Sequence, residues 1–346
     1  MLAQAQRRYK LAMATLHSEW MLLGYKPSVL LLLCQPGAGI TSAYQQLKVR
    51  LRLRVSSFLS AFFKMGVHSL IYSNEDFVGL DWWTHGRLVN YNQPNPAQSE
   101  ISNWLIQNPQ RLNLATIGFQ FNGADVTEDV LQNKSQTLDL WTGKISSSFT
   151  YKGSLVKVET LADPDSDTVG IEVSSDLLSK GALGIFFDFP YPTQNKFDAP
   201  FVGVFNETDK HTTTLQQGIG KAIVYHGIDA TSYSVSMNWN CNGNISRLAE
   251  GSHRYVLQPS PGTQKLGLST TFSPVSKSPI PSLNSVRTAS TTWWKSYWER
   301  GAFVDLLSTK SADAIELQRR IILSQYLLAV NSASSLPPQG EYAHCS

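Results

Sequence analysis

Charged residues are scarce in this chain. They make up 16% of its 346 residues, against 42% apolar and 11% aromatic residues. That balance excludes an intrinsically disordered chain, which lacks the apolar material for a core. Cysteine is nearly absent: Cys34, Cys241 and Cys345 lie far apart, with no CxxC pair. This excludes a dense disulfide framework and any recognisable zinc spacing, so no metal and no cofactor is expected. Long apolar runs are missing as well. None approaches the roughly 18 residues that span a bilayer, so no transmembrane segment is expected. There is no fixed-period repeat, no GxSxG elbow and no phosphate loop. Gln35–Ile40 contains glycines but lacks the Lys-Ser/Thr ending.

What charge there is lies unevenly. Residues 1–64 hold nine Lys or Arg and one acid, Glu19, a balance of +8; the remainder carries −5, giving the net +3. The shift marks a compositional boundary near Gly66. Lys48–Val55 alternates basic and apolar residues, as a strand with one charged face would. An anionic-surface or nucleic-acid contact is one reading of it; an extension without a role is the one preferred, and no nucleic-acid partner is expected. Val29–Cys34 is a six-residue apolar run behind 28 residues. That is short for a secretory leader, and Gly37-Ala38-Gly39 is a poor cleavage site, so it is not expected to act as one.

From about Leu112 to Phe272 the chain reads as strand and turn. Val156, Val158 and Thr160 alternate, Asp163–Asp167 supplies a turn, and Val169, Ile171 and Val173 alternate in the return arm. Leu183, Ile185, Phe187 and Phe189 share one face of a strand, with Asp188 on the other. Further strands are expected at Lys221–Tyr225, Tyr233–Trp239, His253–Leu257 and Lys265–Phe272. Such a series with little helix predicts a large sandwich. Three N-x-S/T sequons fall in it, at Asn133, Asn206 and Asn244, and are candidate glycan acceptors on surface loops. They favour secretion, although the compartment is left open.

Ser273–Ser290, with Pro274, Pro279 and Pro281, reads as a linker. A helix is expected over Val286–Arg300, carrying Trp293, Trp294, Tyr297 and Trp298. Trp294 and Trp298 share a face. Stacking on a sugar is one reading of the cluster; packing between domains is preferred, because so dense a cluster is usually buried. A second helix is expected over Ser311–Ala333, with Ser311 or Thr309 as N-cap and Asp313 in the first turn. Ala314, Leu317, Ile321 and Leu328 form one apolar face, and Ile322, Tyr326, Ala329 and Val330 another. A helix apolar on two sides needs several partners. Unless docked, its Ile321–Val330 face would be sticky, and truncation after about Pro281 would then improve solubility.

The chain resembles the N-terminal part of fungal six-hairpin glycosidase-like proteins, the group that includes acid trehalase-like and family 65-like glycoside hydrolases. The residues that carry this are Asn103–Leu105, Gln107–Leu114, Ile117–Phe119, Leu138-Asp139-Leu140-Trp141-Thr142-Gly143 and Trp293-Trp294 through Tyr297-Trp298. Glu316–Arg320, Leu323–Leu327 and Pro337–Gln339 complete the set. The resemblance implies a mainly β fold, with an antiparallel β-supersandwich, a helical linker and the first helix of an incomplete (α/α)6 barrel. It implies four parts: a basic extension over residues 1–65, the supersandwich over 66–275, the Ser/Pro-rich linker and Trp-rich helix over 276–310, and the barrel helix over 311–346. It also implies hydrolysis of O-glycosyl bonds in the family, carbohydrate as the partner, and catalytic carboxylates placed in the barrel.

Relatives continue beyond Pro337-Pro338-Gln339 into the remaining barrel helices, whereas this chain reads Gly340–Ser346. No catalytic residue is carried over. The expectation is a truncated, inactive form; a non-catalytic carbohydrate-binding or structural sandwich module is the alternative. Among remaining acids, Glu299, Asp305, Glu316 and Glu341 are read as structural, with Glu316 spaced to pair with Arg319 and Arg320. His68, His85, His211, His226, His253 and His344 show no metal-like spacing.

Overall fold

A computed structural model describes residues 48–50, 78–91, 95–102, 113–122, 126–192, 203–229, 231–274, 279–301 and 303–332. Fifteen strands are present among them: β1 (Lys48–Arg50), β2 (Leu80–Thr84), β3 (Arg87–Tyr91), β4 (Thr116–Phe121), β5 (Gln132–Asp139), β6 (Lys144–Tyr151), β7 (Ser154–Ala162), β8 (Thr168–Ser174), β9 (Leu183–Asp188), β10 (His211–Gly218), β11 (Lys221–Ile228), β12 (Thr231–Trp239), β13 (Gly243–Arg247), β14 (Arg254–Pro259) and β15 (Lys265–Ser273). The helices are a single turn, α1 (Asp176–Ser179), and two longer ones, α2 (Leu283–Arg300) and α3 (Ala312–Ser332).

Eight strands form one sheet in the order β10-β11-β12-β15-β8-β7-β6-β5, and five form a second in the order β1-β4-β9-β14-β13. All pairings are antiparallel. The sheets enclose one apolar core. Phe149, Val156, Val158, Ile171, Val224, Val235 and Phe272 come from the larger sheet, and Ile117, Phe121, Ile185, Phe187 and Leu257 from the smaller. The molecule is therefore a β-sandwich, in which period-two alternation delivers every second side chain to the interior.

The expected Val156–Val173 hairpin is β7–β8, with Asp163 holding the turn. Its carboxylate accepts from Asp165 N at 3.1 Å and Ser166 Oγ at 2.7 Å. The basic run expected over Lys48–Val55 is described only at Lys48–Arg50, which pairs with Thr116–Gly118 at the edge of the smaller sheet. Cys34, Cys345, His68, His344, Glu341, Asn103–Leu112 and Pro337–Gln339 lie outside the described residues. Cys241 is half-buried and carries a free thiol. No described helix is long and apolar enough to cross a membrane.

The stretch read as a linker needs correction at both ends. β15 runs through Ser273, and α2 begins at Leu283 rather than Val286. The cause of the earlier start is local: Ser282 Oγ accepts from Ser285 N at 3.2 Å, an N-cap directly after Pro281. α2 lies on the outer face of the larger sheet. Leu283 and Val286 pack with Leu161 there. Leu283 comes so close that a Cβ on Gly170 would stand 2.7 Å from its Cδ1.

α3 also departs from expectation. Only one of its two apolar faces is covered. Ile322, Tyr326, Ala329 and Val330 are buried with Trp294, Trp298, Leu140 and Ile145. The opposite face stands in solvent, with Leu317 52% and Leu328 63% exposed. Of the expected Ile321–Val330 face, Ile322, Tyr326, Ala329 and Val330 are thus docked, whereas Ile321 belongs with Leu317 and Leu328 on the uncovered side.

Candidate functional site

The residues singled out from sequence meet at a junction between the sandwich and the helices. Its sandwich half is the β5–β6 turn, Leu138–Gly143. Asp139 builds it by accepting from Trp141 N at 3.0 Å and Thr142 Oγ1 at 2.8 Å. Gly143 completes it at φ +66°, where a Cβ would stand 2.0 Å from Trp294 Nε1. The helical half is the aromatic row of α2. Trp298 Nε1 donates to the Leu140 carbonyl at 2.7 Å, and Ser290 Oγ donates to that of Thr142 at 3.0 Å. Trp294 stacks on Tyr326 of α3 with centroids 5.0 Å apart, and Tyr297 Oη donates to the Gln325 carbonyl at 2.9 Å. Trp294 and Trp298 are buried, so the preferred packing role is the one they have. They offer no open platform to a sugar.

The acids near the helices are committed elsewhere. Glu316 is bound by Arg319 at 2.6 Å and by Arg320 at 2.7 Å, and these hydrogen bonds lower its pKa to about 2. Glu299 lies 3.9 Å from Lys295, one helical turn away. Asp305 accepts from Leu307 N at 3.0 Å and orients the short turn before α3. Two further carboxylates, Glu159 and Glu172, stand directly opposite each other on β7 and β8. They are not free for acid–base work. Arg287 of α2 approaches both, at 3.5 and 3.3 Å, while Lys144 takes Glu159 and Lys265 takes Glu172, each at 2.8 Å. Chiefly the Lys144 hydrogen bond holds Glu159 below its ordinary range.

Sequence reasoning missed one constellation. His211, His226 and His253, far apart along the chain, meet inside the sandwich with all three rings buried. His226 stands on the inner face of β11 with Ala222, Val224 and Ile228. That alternation was the available signal. β10, which carries His211, reads as polar and was not expected as a strand.

Elementary bookkeeping of donors fixes the tautomers. The Tyr233 hydroxyl donates to the Leu114 carbonyl. Its oxygen therefore accepts from His226 Nδ1–H at 2.6 Å, and His226 Nε2 accepts from His211 Nδ1–H at 2.7 Å. His211 Nε2 is left as a buried acceptor with no partner among the described residues. His253 runs a separate chain. Arg247 donates to Tyr255 Oη, Tyr255 to Thr213 Oγ1, Thr213 to His253 Nδ1, and His253 Nε2–H to the Thr208 carbonyl. Burial lowers His211 to about 4 and His226 to about 2, and raises the Tyr233 phenol well above its usual value. Among the described residues no group of three or more His, Cys, Asp or Glu is arranged to hold a metal ion.

Asn133, Asn206 and Asn244 are all exposed. Asn133 occupies the left-handed region at φ 49° beside the irregularity in β5, and Asn244 lies on the edge strand β13.

No family model and no curated protein matches the chain in sequence. Among solved structures, it is similar to a protein described as a kojibiose phosphorylase from the human microbiome. The TM-score is 0.32 at 11% identity, over 62% of this chain and 28% of that one. It is also similar to a bacterial glucoamylase complexed with acarbose (TM-score 0.38, 8% identity, 59% of this chain and 34% of that one). A third is the family GH92 α-mannosidase from Bacteroides thetaiotaomicron (TM-score 0.26, 8% identity, 56% and 29%). The chain spans about a third or less of each. Likeness at this level assigns no activity.

Proposed function

We propose that this chain is the β-supersandwich and helical linker of a glycosidase-like protein of the acid trehalase-like and family 65-like group, without hydrolytic activity of its own. In this reading α3 holds the place of the first helix of an (α/α)6 barrel. One observation carries the proposal. Three of the stretches that bear the family resemblance, Leu138–Gly143, Trp293–Trp298 and Leu323–Leu327, lie far apart in sequence and build a single junction. Inactivity rests on chemistry: glycoside hydrolysis needs two carboxyl groups held about a sugar, and Glu299, Asp305 and Glu316 are each tied to neighbours of their own.

The test is a turnover assay of the full chain with a panel of aryl glycosides and α-linked disaccharides. No turnover is expected. Hydrolysis that disappears in Glu299→Gln or Asp305→Asn would overturn the claim of inactivity. Asn133, Asn206 and Asn244 are proposed as glycan acceptors if the chain is secreted, and their exposure agrees with that role.

A further inference from the structure

β2 and β3 form a two-stranded sheet with no third strand beside it among the described residues. Their turn places His85 at φ 50° and Gly86 at φ 78°, the signs of a type I′ hairpin. Asn95 ties the root, donating to the carbonyls of Val78 and Gly79 at 3.1 Å each. An isolated pair of strands is marginal in water and normally hides its apolar side chains. Here they stand out. Trp83 is 74% exposed and Trp82 52% exposed. Neither belongs to an apolar cluster among the described residues.

The two faces differ in chemistry. Register puts Trp83 opposite Leu88 and, one rung along the same face, Asp81 opposite Asn90. Asn90 Nδ2 donates to Asp81 Oδ1 at 2.7 Å, which holds the exposed Asp81 carboxylate in place, while Asn90 Oδ1 lies against Gly79, 2.6 Å from where a Cβ there would stand. The other face carries Trp82 with Val89 and Leu80 with Tyr91, without such a pair.

This pattern selects among occupants. An apolar protein surface laid over Trp83 and Leu88 would desolvate the Asp81 carboxylate without a partner, which is costly. A lipid surface does the same, and Asp81 set against Arg87 gives the hairpin no positive charge to draw it there. A pyranose suits both elements. Its C–H face lies flat on the indole, and a hydroxyl at its rim donates to the Asp81 carboxylate, which stands two residues, one strand repeat, along the same face.

We propose that the β2–β3 hairpin is a carbohydrate-contact arm, with Trp83 as the stacking surface and Asp81, positioned by Asn90, as the hydroxyl acceptor. For the class of ligand it rests on the glycosidase-like reading; for the place and the residues it rests on the hairpin. It requires no hydrolysis.

The test uses the full chain on an array of gluco-, manno- and galacto-oligosaccharides, followed by calorimetric titration of the best binder. Trp83→Ala should weaken binding about ten-fold or more and Asp81→Ala several-fold. Trp82→Ala, on the opposite face, should leave it within about two-fold, which guards against mere loss of the hairpin. Binding that survives Trp83→Ala, or no binding to any sugar by the parent chain, overturns the arm. So does Trp83-dependent pelleting with phosphatidylcholine–phosphatidylserine vesicles in the absence of sugar binding. None of these outcomes touches the glycosidase-like reading, whose claim of inactivity is tested separately by turnover that depends on Glu299 or Asp305.

Discussion

Gly143 shows how much a single residue decides. Its left-handed backbone turns β5 into β6, and its missing side chain admits the Trp294 indole. Gly143→Ala adds a strained φ and a collision at once. We expect a loss of about 2–4 kcal/mol in urea unfolding; a change below about 0.5 kcal/mol would mean that Trp294 is not seated there. The buried histidines give a second prediction at this scale. Unfolded, His211 and His226 titrate near the ordinary 6.5; folded, they titrate at about 4 and about 2. The unfolded chain therefore binds more protons below pH 6.5, so stability is full above that value and falls as pH drops. The loss continues through about pH 4 for His211 and about pH 2 for His226, at up to about 1.4 kcal/mol per pH unit each. The rings against His211 are those of His226, His253 and Tyr191, and Tyr233 packs on His226; none of these supplies a negative charge at acid pH. His226→Gln can still accept from His211 and donate to Tyr233. Its unfolding midpoint should fall about half as steeply between pH 6.5 and 4; an unchanged slope would locate the acid sensitivity elsewhere.

Among elements, α2 is held by charge as well as by packing. Glu159 and Glu172 face each other across β7 and β8, a repulsive pair until Arg287 arrives from the helix. Arg287→Met should cost about 1–2 kcal/mol, a modest figure because the groups are partly solvated. Adding Glu159→Gln should recover part of that loss. A double-mutant cycle by urea unfolding reads the coupling, and strictly additive effects would show that Arg287 does not relieve this pair. Such links cross 115 and 128 residues of chain and have no local signature. What was legible was periodic. Val156, Val158 and Thr160 against Val169, Ile171 and Val173 gave β7–β8 because strand alternation is local. β10, spelling His-Thr-Thr-Thr-Leu-Gln-Gln, was not legible, since its polar side chains become interior only once His226 and Tyr255 stand over them. The Trp-rich helix was placed within three residues at its start, and its packing role followed from density of aromatics. The Trp82–Trp83 hairpin attracted no notice because strands this short and exposed leave no alternation to read.

For the whole molecule, the two helices extend the core rather than trail behind it. Truncation after Pro281 would remove Leu283, Val286, Trp294 and Trp298. Leu161, Leu140 and Ile145 would be uncovered, and Glu159 and Glu172 would lose Arg287. Burial of each large apolar side chain is worth roughly 1.5–3 kcal/mol, so this truncation should lower stability and solubility together. That reverses the expectation drawn from an undocked helix. The surface expected to limit solubility is the opposite side of α3, where Leu317, Ile321 and Leu328 fall on one stripe and the two leucines are more than half exposed. Leu317→Gln with Leu328→Gln should leave the unfolding midpoint within about 0.5 kcal/mol, since neither side chain is buried. The concentration at which light scattering first reports association should rise in the double variant. If the pair of substitutions instead unfolds the protein, both sides of α3 are buried in solution, and a second layer of chain covers the stripe.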